Sequence, residues 1–356
     1  GEHYAFVALD LIGHLSHRIE SATARIEAEL SIPGDHVVVA STHTHDGPDA
    51  IGIWGPRLTK CGIDLEWLDR VDAAIVESVR RAAAALAPAR LRFGEVEVPE
   101  VLRDTRAPVV TDPVLRTLHL ASPGGDTIAT VCVYAMHPEA LGSDNTEISS
   151  DYPHFLRARC ESVLGGTTIF FSGAVGGMQT PEVPANDFES CRKVGETLAD
   201  RGLASIAGAA WVQAPAIRMV TRRISFPMVN PRFRAATALG IIPGQRFLEY
   251  EGRGLLKKPR VPCQTSVLAI GPVRIATLPG ELFPEIAPAI RDSMRSGPKV
   301  LIGLAGNEIG YIIPSDAWDD SKYEESMSLG PETGPLLVDA LRDMLTELEA
   351  DLTRPR

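Results

Sequence analysis

The strongest chemical signal in the sequence is a pair of histidines, His43 and His45, in the segment STHTHDGP at residues 41–48. The pair follows a β-branched run, HVVVA at 36–40, which is typical of a buried parallel strand. In an extended segment both side chains point the same way, because side chains alternate with a period of two. Two imidazoles on one side at this spacing suit a metal site, and zinc readily binds neutral imidazole nitrogen. The alternative is a pair of loop histidines bonded to backbone or solvent.

Two later residues end strands in a similar way. His137 closes the apolar run VCVYAM and is followed by Pro138, and Glu281 follows a Pro-Gly turn in TLPGELFP. Because strand ends meet at one edge of a sheet, we expect His137 to lie near His43. By pattern alone, Glu281 fits a helix start, where a carboxylate complements the helix dipole.

The elements that must position these residues alternate between strand and helix in the first third of the chain. We predict strands and helices in the order 4–9 (strand), 15–30 (helix), 36–40 (strand) and a helix capped by Asp64. The middle is richer in strands, with a hairpin of 115–120 and 127–134 around PGGD, a strand at 168–171 and a helix at 187–204.

The last third contains a proline-rich stretch, 227–262, without clean periodicity, which we interpret as an irregular excursion over the surface. Its apolar residues either line an acyl pocket or, as we favour, pack as a surface loop; they are Phe233, Phe247, Tyr250, Leu255 and Leu256. A hairpin around Gly271, a helix from about Phe283, a strand at 300–304 and a helix at 331–352 follow. We therefore predict one large α/β domain over 1–356, with mixed sheets flanked by helices and a metal site at strand ends.

Composition excludes several classes of protein. The chain has 356 residues, 44% of them hydrophobic, and a net charge of -11. This charge disfavours nucleic acid and anionic lipid as partners, and no apolar run is long enough to span a membrane. Five cysteines without a CxxC pair indicate neither a zinc ribbon nor a disulfide framework.

The sequence begins abruptly in a predicted core strand, so we expect an incomplete N-terminus. The compartment (cytoplasmic or secreted) and the oligomeric state stay open.

Taken together, the segments resemble the neutral ceramidase family, from THTHDGP to KYEES, without the C-terminal sandwich domain. Family members carry THTHSGP, so Asp46 replaces a serine here. The resemblance implies that His43, His137 and Glu281 bind zinc and that His45 acts beside the metal in catalysis.

The resemblance also assigns roles to two tyrosines and an arginine. Tyr311, in a Gly-Tyr pair, matches the tyrosine ligand, and Tyr323, twelve residues later in a Tyr-Glu pair, matches a residue that contacts the reacting carbonyl. Arg106, in DTRAP, resembles the arginine of the family's NRSP motif, which faces the substrate.

One loop departs from the family. Ceramidases have GDVSPN, whose serine belongs to the active site, whereas this chain has GAVGGM at 173–178. Gly176 stands at the serine position and excludes a serine nucleophile there, which fits attack by water and puts ceramide itself in doubt as the substrate. Gly176 and Gly177 are candidates to bind the substrate through backbone N–H groups; the alternative is a tight turn.

Together with the resemblance, these residues imply a zinc-dependent hydrolase of a small-molecule substrate. The resemblance favours cleavage of an N-acyl amide bond, and the substrate is a candidate to carry an acyl chain. His45 would transfer the proton, and Tyr323 and Arg106 would stabilise the oxyanion or hold the acyl part. The alternatives are a zinc hydrolase of esters or lactones and a non-catalytic binding protein. An amidohydrolase-type barrel needs eight regular βα units, and a metallo-β-lactamase needs HxHxDH; neither pattern is present.

Overall fold

The protein is described by a computed structural model that covers residues 2–57, 60–242, 248–252, 257–295 and 297–353. The strands in chain order are β1 Ala5–Leu9, β2 Val37–Ser41, β3 Arg90–Glu97, β4 Leu102–Asp104, β5 Val114–Ala121, β6 Thr127–Tyr134, β7 Thr167–Ser172, β8 Gln179–Pro181, β9 Val212–Gln213, β10 Ile217–Pro227, β11 Glu249–Glu251, β12 Lys258–Ile270, β13 Val273–Thr277, β14 Glu281–Leu282, β15 Lys299–Ile302 and β16 Tyr311–Ile312. The helices are α1 Ser16–Leu30, α2 Leu65–Ala84, α3 Tyr152–Leu164, α4 Phe188–Ala207, α5 Pro231–Ala238, α6 Ala287–Asp292, α7 Tyr323–Ser326 and α8 Thr333–Thr353.

Two mixed five-stranded sheets form the centre of the molecule. The first has the order β7-β6-β5-β3-β9, with β6 and β7 parallel and the other pairs antiparallel. The second has the order β10-β12-β13-β15, with β11 paired to β12 and only β13 and β15 parallel. Buried side chains from β3, β5, β6 and β7 share one cluster with side chains from β12, β13 and β15, so the two sheets pack face to face.

Helices cover the outer faces of both sheets. Side chains of α3 and α4 share an apolar cluster with the first sheet, and those of α6 and α8 share one with the second. The parallel pair β1 and β2 packs against α1 and α2. This arrangement confirms the predicted α/β class, with mixed sheets flanked by helices. No helix in the described ranges is both long enough and apolar enough to cross a bilayer.

The predicted elements of the first two thirds are confirmed within a few residues at their ends, including the cap by Asp64 and the hairpin of β5 and β6. The interpretation of 227–262 as an irregular excursion was wrong: α5, β11 and the first part of β12 lie within it. The helix expected from Phe283 begins only at Ala287. Phe247, Leu255 and Leu256 lie outside the described residues.

The ends of several strands are joined directly where the predicted site residues lie. Ser41 N–H, at the end of β2, donates to the carbonyl of Leu304 at 3.0 Å, and Gly303 N–H donates to Ser172 O at 2.8 Å. The ends of β2, β7 and β15 therefore meet at one edge. His43 follows β2, and His137 follows β6, the neighbour of β7.

Candidate functional site

Three imidazoles converge at this edge. The ring centroids of His43 and His45 lie 5.0 Å apart, those of His43 and His137 lie 5.0 Å apart, and those of His45 and His137 lie 5.5 Å apart. One ring nitrogen from each histidine lies within 4.8 Å of the other two. His43 and His137 are buried, whereas 37% of the His45 side chain is exposed. Three imidazole nitrogens at this spacing can surround a single metal ion.

Backbone carbonyl groups orient two of these rings. His43, which adopts a left-handed backbone conformation with φ of 66°, has Nδ1 2.5 Å from Ile12 O, and His137 has Nδ1 2.7 Å from Gln179 O. A carbonyl oxygen only accepts hydrogen bonds, so each Nδ1 carries a proton, and each Nε2 of the neutral ring has a free lone pair. This is the arrangement in which histidines bind metals.

The carboxylate of Glu281 lies against both Nε2 atoms. Its Oε2 is 3.0 Å from His137 Nε2 and 3.4 Å from His43 Nε2. Without an ion, a proton must occupy part of this space: burial alone would lower the pKa of His137, yet the Glu281 carboxylate raises it to about 9. Burial would raise the pKa of Glu281, whereas His43 and His137 lower it. Two lone pairs and a carboxylate oxygen that face one another form a donor set that a divalent cation would satisfy.

Backbone pairing between two short strands places Tyr311 beside Glu281. β14 and β16 are parallel, and Glu281 lies opposite Tyr311 in their register. The Tyr311 ring packs edge-on against Phe283, and its hydroxyl lies 3.4 Å from Met178 Sδ. Burial, followed by the charge of Glu281, raises the pKa of this phenol, so it is neutral when no metal is bound. The two-residue β14 thus brings together the carboxylate and the phenol that the sequence places thirty residues apart.

His45 has an acidic partner that the sequence analysis did not identify. Its Nδ1 lies 3.3 Å from Glu139 Oε2, and its backbone N–H donates to Pro138 O at 3.0 Å. Desolvation, followed by the nearby His43 and His137, lowers the pKa of His45, so its ring is neutral near pH 7. Glu139 follows His137 by two residues in HPE, and this spacing was the available signal. The neutral ring is close enough either to bind a metal or to accept a proton beside one.

Arg106 is bound by two buried carboxylates. Its guanidinium pairs with Glu324 at 2.7 Å and with both oxygens of Glu325 at 2.7 and 3.2 Å, and it lies 4.9 Å above the centroid of the Phe283 ring. Carboxylates thus engage both terminal nitrogens of Arg106, and its contact with substrate stays a prediction. These carboxylates belong to α7, the helix that begins with Tyr323.

Tyr323 lies at the mouth of the site. Its side chain is 60% exposed, and its ring centroid is 6.2 Å from that of Tyr311. The ring borders the same pocket as His43, His45 and Glu281. Its phenol is therefore accessible from the solvent side, as a group that contacts a bound substrate must be.

The candidate role of Gly176, binding of the substrate through its backbone N–H, does not fit the structure. Its N–H donates to Leu282 O at 2.9 Å, so this donor is already engaged. A Cβ at Gly176 would lie 2.7 Å from Glu281 O, from Leu282 C and from the Phe283 ring, so the loop packs directly on β14. Gly177, with φ of 74°, makes the tight turn that follows, and its binding role stays a prediction.

An apolar pocket opens at the histidines. Met228, Phe233, Leu248 and Val261, all from the stretch 227–262, line its wall. The preferred interpretation of this stretch as a packed surface loop was therefore wrong for these residues, although Tyr250 is half exposed. Glu308, which the sequence analysis did not select, also lines the pocket.

Comparisons with known proteins relate the sequence and the fold to one family of proteins. No protein-family model matches the sequence. A neutral ceramidase from Pseudomonas aeruginosa is 24% identical over 200 residues, a match that covers 48% of this chain but only 30% of that protein.

Two solved structures share the fold. The crystal structure of neutral ceramidase from P. aeruginosa superposes with a TM-score of 0.75 and 17% identity, covering 97% of this chain and 66% of that chain. A structure described as ceramidase complexed with C2 gives a TM-score of 0.77 and 18% identity, covering 97% and 67%. The resemblance predicted from the sequence is thus confirmed: the chain shares the fold of neutral ceramidase along nearly its whole length and is similar to it in sequence over about half of its own length.

Proposed function

We propose that this protein is a zinc-dependent hydrolase that cleaves N-acyl amide bonds. The observation that carries the proposal is the convergence of three side chains that are distant in sequence. The Nε2 atoms of His43 and His137 both lie within 3.4 Å of one carboxylate oxygen of Glu281. The similarity to neutral ceramidase supports amide cleavage as the reaction.

The donor set suits zinc. Imidazole nitrogen and carboxylate oxygen are both preferred zinc ligands, and the carbonyl groups of Ile12 and Gln179 fix the required ring tautomers. His43, His137, Glu281 and Tyr311 would hold the ion. When bound there, zinc would polarise an acyl carbonyl and lower the pKa of water toward neutrality.

The remaining side chains would transfer protons and position the groups that contact the substrate. His45, a neutral ring whose Nδ1 lies 3.3 Å from Glu139 Oε2, would accept a proton from the attacking water and later pass it to the leaving amine. The exposed Tyr323 phenol would donate a hydrogen bond to the developing oxyanion. Arg106 would act through α7, because its ion pairs with Glu324 and Glu325 hold the helix that carries Tyr323.

The pocket supports an acyl substrate. Its largely apolar wall fits a hydrocarbon chain, and burying such a chain contributes about 0.8 kcal/mol per methylene. Esters and lactones present the same carbonyl to the same groups, so they form the second class of substrate to test.

A hydrolysis panel tests the proposal. Purified protein would be assayed against N-acyl amides of increasing chain length, matched esters and lactones, with and without a chelator, followed by zinc addition. We expect amide cleavage that the chelator abolishes and zinc restores. A zinc-loaded protein that cleaves none of these bonds would instead support the non-catalytic binding protein, and cleavage restricted to esters or lactones would reassign the substrate class.

A further inference from the structure

The N-terminal end of α1 opens into the same pocket as the metal-binding side chains. Leu15, Ser16 and His17, which begin this helix, all line the cavity that His43 and Glu281 also line. Leu15 is the N-cap residue and makes no side-chain hydrogen bond to the first turn, which contains no acidic residue. The positive end of the helix dipole is therefore directed at the pocket without a balancing group from the helix itself.

The hydroxyl group of Ser16 is the second feature of this helix end. Ser16 is 7% exposed, a fraction close to the 6% of Glu281 in the same cavity. Its backbone N–H donates to Asn307 Oδ1 at 3.0 Å, whereas its Oγ has no hydrogen-bond partner among the described residues. Unlike the fully enclosed oxygens of the core, this Oγ retains accessible surface, so a molecule in the cavity can reach it.

The position of Ser16 at the start of the helix explains why its hydroxyl is unpaired. Within a helix, a serine hydroxyl can donate to the carbonyl three or four residues earlier. Ser16 is the first residue of α1, so residues 12 and 13 precede the helix, and the Ile12 carbonyl already accepts from His43 Nδ1 at 2.5 Å. The hydroxyl proton of Ser16 is therefore available to a group that the protein does not supply.

The charges around the cavity favour a neutral acceptor over an anion. Glu281 and Glu308 contribute carboxyl groups, and none of the described lining residues is a lysine or an arginine. Burial, followed by the charge of Arg18, lowers the pKa of His17 to about 4, so this imidazole is neutral near pH 7. An anionic group would therefore lack a cationic side chain to balance it, whereas an uncharged oxygen needs only one donor.

We propose that Ser16 selects the substrate: its hydroxyl donates a hydrogen bond to an uncharged oxygen on the part of the substrate that fills the pocket. This inference rests on the proposed hydrolase function and narrows it. A plain hydrocarbon chain would leave the hydroxyl unpaired in an apolar wall, whereas a carbonyl, ether or hydroxyl oxygen at the right carbon would satisfy it. The preferred substrate is therefore an acyl compound whose chain carries one such oxygen.

The test measures binding rather than turnover. Calorimetry on the purified protein with zinc added would compare decanamide with oxodecanamides and aminodecanamides substituted at successive carbons. At neutral pH the oxo group only accepts hydrogen bonds, and the ammonium group only donates them. We expect one carbon at which the oxo group improves affinity about fivefold, which corresponds to about 1 kcal/mol, and no carbon at which the ammonium group does.

Two serine variants assign the gain to one hydroxyl. Ser16→Ala removes only the Oγ atom and should abolish the gain, while decanamide itself should bind no more weakly than to the wild type. Ser21→Ala, which removes an exposed hydroxyl from the same helix, should keep the gain.

Several results would overturn the inference. Equal affinities along the oxo series would mean that the Ser16 hydroxyl only binds water. A gain that survives in Ser16→Ala, a gain from the ammonium group instead of the oxo group, or no binding of any amide would also contradict it. A clear preference for one oxo position without any cleavage would leave the inference standing and would refute only the proposed hydrolysis.

Discussion

The packing of Gly176 on β14 predicts that a serine cannot be restored to the loop without cost. In Gly176→Ser, the new Cβ would meet Glu281 O, Leu282 C and the Phe283 ring at 2.7 Å each. Two of these atoms are backbone, so relief requires movement of the strand that carries Glu281. Overpacking of this kind typically costs about 1–3 kcal/mol. Since about 1 kcal/mol shifts the melting temperature of a 150–250-residue domain by about 2–4 °C, we expect a fall of a few degrees.

The assay pairs thermal melting with a zinc competition titration. Displacement of β14 should weaken zinc binding as well as lower the melting temperature, and the introduced hydroxyl should not raise activity on ceramide. Gly208→Ala is the matched control, because a Cβ there meets nothing within 4 Å and its φ of -101° suits any residue. If Gly176→Ser melts and binds zinc like the wild type, the close packing inferred for this loop is refuted.

Three further outcomes follow from the same contacts. Arg106→Ala leaves two buried carboxylates unpaired and should destabilise the fold by about 3–5 kcal/mol in chemical denaturation; unchanged stability would contradict the buried ion pairs. Burial alone would raise the pKa of Asp112, but Arg116 and Arg291 lower it. Asp112 therefore stabilises the fold above its unfolded pKa of about 3.9, and this stability is lost as the pH falls through the lower folded value. In Asp112→Asn, the free energy of unfolding should depend less on pH over this acidic range. An unchanged pH dependence would contradict the stabilising role of the Asp112 carboxylate. His45→Ala should retain zinc and lose most activity; unchanged turnover would remove His45 from the mechanism.

Much of the fold is predictable because its signals are local. The β-branched run before His43 and the PGGD turn each encode their element within ten residues, and both are confirmed. The stretch 227–262 was misjudged because β10 and β12 pair across that span, and such pairing leaves no local periodicity when prolines interrupt it.

The site residues likewise differ in whether a local sequence pattern predicts them. His43 and His137 were accessible to pattern reasoning because each ends a strand. Glu281 required the resemblance, since in isolation its segment fits a helix start; only the register with Tyr311 across two-residue strands shows the shared position. The ion pairs of Arg106 could not be predicted, because its partners, Glu324 and Glu325, lie more than two hundred residues away in the sequence.

Metal content tests the central claim most directly. Zinc per chain would be measured by elemental analysis in the wild type, in His43→Ala and His137→Ala, and in His154→Ala, an exposed histidine that serves as control. The account predicts one zinc per chain in the wild type and the control, and almost none in the other two variants. Full zinc in both His43→Ala and His137→Ala would contradict it.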